Sequence, residues 1–186
     1  MALSRGYDQI NAAAKNSLDQ IAVAQNADTL SHLLYWETGR VDFNLMRKTK
    51  AVKQAADLSL ELSSLSTSAD SQKKRIENAV QQRATELQLG TIQPSAPKMN
   101  PESETIIVRR KRMGTITMDD ILVNQREGYP ASSFWGPTTA TAALYWCDGK
   151  RNLAAVIKMT ELEMGQSNFD WVGYFKFLQK RGYVDF

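Results

Sequence analysis

The chain has 186 residues, 42% hydrophobic and 23% charged, and its 23 basic and 20 acidic side chains leave a net charge of +3. That is globular composition, enough for one domain or two small ones, and the mild basic excess makes no strong field for nucleic acid or a membrane surface. A single cysteine, Cys147, excludes an internal disulfide, and one histidine beside it leaves too few donors for the usual zinc centre, so no cofactor is expected.

The opening residues, MALSRGYDQINAAAKNS, carry no apolar signal core. No later run approaches the roughly 18 apolar residues needed to span a bilayer. A cytoplasmic protein with no membrane contact is expected. Residues 1–90 contain three glycines and no proline, and are rich in good helix formers. The spacing of Ile10, Ala13, Leu18, Ile21 and Ala24 predicts a helix from about Ser4 to Gln25. Asp28 is a candidate N-cap for the next. Its stripe, Leu30, Leu33, Leu34, Val41, Leu45, Val52, Ala55, Leu58, Leu62 and Leu65, passes through Gly39, an interruption worth about 1 kcal/mol. The run Ser63–Ser68 reads as a break, with Ser68 or Asp70 capping a third helix on the stripe Ile76, Val80, Ala84 and Leu87. Long amphipathic helices joined by short polar breaks fold back as an antiparallel bundle or hairpin. His32, beside Leu33, Leu34, Tyr35 and Trp36, reads as a packing residue rather than a ligand.

Gly90 sits where a helix C-cap glycine would, and Pro94, Pro97 and Pro101 follow. Proline removes a backbone donor and turns the preceding residue away from helix, so 91–104 is expected to be a linker. Beyond it, Thr105–Val108 and Met113–Thr117 have β character, predicting a strand or hairpin across Gly114. Between them stand Arg109, Arg110, Lys111 and Arg112. A phosphate-binding or nuclear-signal patch is one reading, and a solvated edge strand protected by its charges is the simpler one. The chain from 91 onward, with 12 basic and 10 acidic residues, favours the second. A turn-rich loop through Trp135 precedes a helix from Thr138 to Trp146, and Asp148-Gly149 then turns the chain. Asn152 caps a helix with the stripe Leu153, Val156, Ile157, Thr160 and Met164, which Gly165 ends. A third helix runs from about Phe169 to Lys180, and Tyr183–Phe186 closes as a strand. The fold class is therefore mainly α: an antiparallel bundle over 1–90, a proline linker, and over 105–186 a winged helix-turn-helix with a small β-sheet.

In a DNA-binding winged helix the third helix reads the groove. At 100° per residue Trp171, Val172, Tyr174, Phe175, Phe177 and Leu178 cover roughly 220° of it, where a surface helix needs little over 100°. A groove reader wants outward Arg, Asn, Gln or Ser, so this helix argues for protein or peptide contact over nucleic acid. The candidate anchors are Trp135, Trp146, Trp171, Tyr174 and Phe177, since aromatics dominate interface energetics; simple core packing is the competing role for each.

The segment Tyr145-Trp-Cys-Asp-Gly-Lys-Arg-Asn-Leu-Ala-Ala-Val-Ile157 resembles winged-helix segments at the C-terminus of some di-zinc aminopeptidases. So do Phe169–Phe175, Leu178–Val184, Ile107–Gly114, Gln125–Pro130 and Phe134–Pro137, a resemblance covering about 105–186. It implies a non-catalytic accessory module that packs on a peptidase catalytic domain or a neighbouring subunit, since the two-zinc ligand set of those enzymes is missing from this sequence. The long helices offer a second route, self-association. The Trp146–Leu153 turn and Leu178–Val184 are also similar to small winged-helix recognisers of leader peptides. That resemblance implies strand addition at an edge formed by Ile106–Val108 and a groove from the third helix. A winged-helix DNA-binding regulator is the remaining alternative.

Catalysis finds little support in the residues. Cys147 ends an apolar helix, where the negative dipole end opposes a thiolate, and no histidine base is near in sequence. Asp119, Asp120, Glu161 and Glu163 read as solvated acids. No enzymatic role is expected of this chain alone.

Overall fold

A computed structural model describes residues 2–53, 59–129 and 136–186, in two compact units, Met1–Pro97 and Lys98–Phe186. The protein is mainly helical with one small antiparallel sheet.

The first unit is a three-helix bundle of α1 (Ala2–Val23), α2 (Ala27–Lys53) and α3 (Ser59–Glu86), each helix packed on the other two. Ala14, Ser17 and Ile21, with Ala24 just past its end, repeat at helical spacing on the buried side of α1, as Leu30, Leu33, Leu34, Glu37 and Val41 do on α2. Asn11 meets Gln72, and Arg83 Nε donates to the Ala24 carbonyl at 3.0 Å, so α1 and α3 run parallel. Lys73 on α3 pairs with Asp42 on α2 at 2.9 Å. The buried Glu37 accepts from Ser17 Oγ at 2.5 Å and pairs with Arg40 at 3.2 Å, which satisfies a charge that burial would otherwise penalise.

Several expected boundaries move. Asn26, not Asp28, caps α2: its Oδ1 accepts from the Thr29 amide at 2.8 Å. The expected break at Ser63–Ser68 is helical and lies inside α3. Serine and threonine cost only a few tenths of a kcal/mol each in a helix, and the complete burial of Leu65 and Ala69 outweighs that. Thr67 Oγ1 also finds the Ser63 carbonyl at 3.0 Å. Nor does Gly90 end the helix. Gln88 takes the left-handed conformation (φ 57°), while the amides of Leu89 and Gln88 reach back to Ala84 and Thr85 at 2.8 and 3.0 Å. That pattern is a Schellman cap, completed two residues earlier than the glycine.

The expected linker is not free chain. Ile92 is buried in the bundle core, its amide and carbonyl both held by the Gln81 side chain, and Ser31 holds the backbone at Gln93 and Ser95. Met99 packs into the core of the second unit, and Pro101–Thr105 forms a short helix, α4, capped by Asn100. Prolines here stop helix formation without detaching the chain, because backbone and apolar groups still find partners.

The second unit continues with β1 (Arg109–Arg110), single turns at Met118–Asp120 and Val123–Gln125, and then α5 (Gly136–Trp146), α6 (Leu153–Met164), α7 (Trp171–Lys180) and β2 (Val184–Asp185). Three helices and a closing strand form as the sequence predicts. The expected strand or hairpin over 105–117 is reduced to β1, paired antiparallel with β2 through Arg109–Asp185 and Arg110–Val184. Asn152 caps α6, accepting from the Ala155 amide at 2.9 Å and donating to the Glu104 carbonyl at 3.1 Å. Asp170 caps α7 through the Gly173 amide. Arg181 ties the end of α7 to the preceding loop through the carbonyls of Gln125 and Glu127.

Candidate functional site

The structure distributes the sequence-derived anchors unevenly. Trp171, Tyr174 and Phe177 are buried in the core of the second unit together with Phe175 and Leu178. Tyr174 is fully enclosed, its ring meeting Phe169 and Phe175 edge-on at 5.3 Å and Tyr129 at 6.0 Å. The wide apolar arc of α7 therefore marks burial on more than one side. Ile106 and Val108 are likewise interior, so as side-chain contacts they too are core residues; only Ile107 between them reaches solvent. Trp135 lies outside the described residues. Of the five aromatic candidates, Trp146 remains at the surface, half-buried.

Around it lies a face that the sequence did not single out. The buried side of α5 includes Ala140, Ala143 and Leu144, and Cys147 just past its end continues the i, i+3, i+4, i+7 pattern. Tyr145 falls off this stripe and is 64% exposed, and Met113, beside Gly114, is 83% exposed. They border an open groove of about 490 Å³ whose other walls are Arg109 and Arg110 of β1 and the Asp148-Gly149 turn. A smaller hollow of about 270 Å³, lined by Ala142, Tyr145, Trp146 and Glu163, shares Tyr145 with it. Laying α5 on a helical wheel would have placed Tyr145 outward; nothing local predicts Met113.

Local chemistry fixes this face. Asp148 Oδ1 accepts the amides of Arg151 and Lys150, both at 2.9 Å, and these bonds hold its carboxyl below the usual range. Gly149 occupies a left-handed conformation (φ 74°), which completes the turn. Arg110 donates to the carbonyls of Leu144 and Gly114, and its guanidinium lies 5.7 Å from the Tyr145 ring centroid. Arg151 similarly lies 5.8 Å from the Trp146 ring, whose Nε1 donates to Glu163 at 3.0 Å. On its far side β1 takes no further strand among the described residues.

The four basic residues differ in role. Lys111 pairs with Asp185 at 3.4 Å and Arg112 with Asp120 at 3.5 Å, whereas Arg109 is exposed and Arg110 is half-buried against backbone. The scattered acids are also more occupied than solvation alone implies. Asp120 accepts from the amide and hydroxyl of Thr117, which lower its pKa, and Glu161 is buried, its pKa raised by desolvation against bonds from Ser167. Glu163 holds Trp146.

Cys147 is buried beneath the groove, bonded to the Ala143 carbonyl, and burial pushes its thiol up to about 12. That is the opposite of an activated nucleophile. Among the described residues no three His, Cys, Asp or Glu side chains stand together as a metal-binding group, and no helix is long and apolar enough to cross a membrane. No protein-family model, curated protein or solved structure matches the chain.

Proposed function

We propose that the protein is a non-catalytic interaction module whose second unit binds a polypeptide partner through the face around Tyr145. The observation that carries this reading is the pairing of two exposed apolar side chains, Tyr145 and Met113, with arginines around an open groove, while Trp171, Tyr174, Phe175 and Phe177 are buried in the core. Tyrosine, methionine and arginine are the residue types that interface cores enrich. A regulator that reads DNA fits less well, because α7 commits Trp171, Val172, Tyr174, Phe175, Phe177 and Leu178 to the core and leaves few side chains free to read a groove. The reduced, shielded Cys147 suits a cytoplasmic setting. On the aminopeptidase resemblance the partner is a peptidase catalytic domain or a neighbouring subunit. On the leader-peptide resemblance it is a short peptide, with the groove beside β1 replacing the one expected on the third helix.

A displayed random-peptide library panned on the whole chain, and in parallel on Tyr145→Ala, tests the proposal. Enriched peptides that lose binding to the variant support it. Enrichment indifferent to Tyr145, or retardation of duplex DNA that weakens steeply with salt, counts against it.

A further inference from the structure

We infer that this groove selects an acidic segment of its partner, a carboxylate meeting Arg109 and Arg110 while an adjacent apolar side chain covers Tyr145 and Met113. The inference rests on the interaction reading above and adds the chemistry of the occupant. It comes from the balance of charges around the groove. Three neighbouring cations already have a carboxylate: Lys111 has Asp185, Arg112 has Asp120, and Arg151 has Asp148 at 2.8 Å. The two that line the groove have none among the described residues. Arg110 is held by carbonyls of Leu144 and Gly114, which fix its position but supply no counter-charge, and among the described residues its buried Nε has no partner. The one acid on the rim, Asp148, is already engaged by Arg151 and by two amides. The groove is thus left positive, with its guanidinium held in place before any ligand arrives, and a carboxylate is the group that a fixed guanidinium fork fits best.

The apolar half of the pattern follows from the neighbours. Tyr145 and Met113 expose surface beside the arginines, and covering it removes apolar area from water. An extended segment alternating acidic and apolar residues satisfies both.

The test uses the whole chain and three capped hexapeptides, alternating leucine with glutamate, glutamine or lysine, followed by amide chemical-shift titration. The glutamate peptide is expected to bind at the groove about fivefold more tightly than the glutamine one, the lysine peptide least. Raising salt should remove the difference. Arg109→Gln, an exposed change with little folding risk, should reduce the glutamate peptide's advantage over the glutamine one, while Arg112→Gln should leave it unchanged. Equal affinities for the glutamate and glutamine peptides, both lost in Tyr145→Ala, would overturn the charge inference and leave the interaction reading standing. Absence of binding by all three peptides, or a single-stranded oligothymidine binding as well as the glutamate peptide, would overturn both.

Discussion

Replacing Tyr174 by phenylalanine should stabilise the second unit. Tyr174 is fully buried at the centre of its aromatic cluster, and among the described residues its hydroxyl has no hydrogen-bond partner. An unpaired buried hydroxyl loses its water without compensation, a penalty of about 1–3 kcal/mol. The substitution removes that oxygen and keeps the ring contacts with Phe169, Phe175 and Tyr129. The small void it leaves offsets a few tenths, so a net gain of about 1 kcal/mol is expected. For a unit of this size that raises the melting temperature by about 4–8 °C. Burial also lifts the Tyr174 phenol above its ordinary value of 10.0. Above that pH the unfolded chain releases a proton the native chain retains, so the wild type loses stability as pH rises past 10, and the variant should lose less. Near-ultraviolet circular dichroism melts between pH 7 and 11 follow both effects. A Tyr174→Phe protein less stable than wild type by 1 kcal/mol or more would show that the hydroxyl is bonded, and would refute the reasoning.

Cys147, with its thiol near 12 against an ordinary 9.0, should react with iodoacetamide at pH 8 about a thousandfold more slowly in the native chain than in guanidinium; equal rates would contradict its burial. Asn152→Ala removes both the α6 cap and the bond to the Glu104 carbonyl, and should cost about 1–2 kcal/mol in urea unfolding. Gln88→Gly should stabilise the first unit by about 1 kcal/mol by relieving a left-handed residue at the α3 cap, whereas Gly90→Ala, whose added carbon meets nothing, should not destabilise it.

What was legible in the sequence was whatever local chemistry decides. Asn152 and Gly165 bound α6, Asp148-Gly149 turns the chain, and the apolar arc of α7 is too wide for a surface helix, because caps, positive φ and helical periodicity act within a few residues. Propensity misled where its energies are small. Ser63–Ser68 stays helical because Leu65 and Ala69 are buried, and the proline segment stays docked because Ile92 is. The candidate site belongs to this second class. Trp171, Tyr174 and Phe177 look like anchors until their neighbours enclose them, and Tyr145 with Met113 comes forward as a candidate only because both are exposed among the described residues. The amino-acid sequence by itself determined the helices, their caps and which sides are apolar. Which apolar residues remain exposed, and which arginines lack a carboxylate among the described residues, the tertiary structure alone decided, since exposure and ion pairing depend on partners brought together from distant parts of the chain.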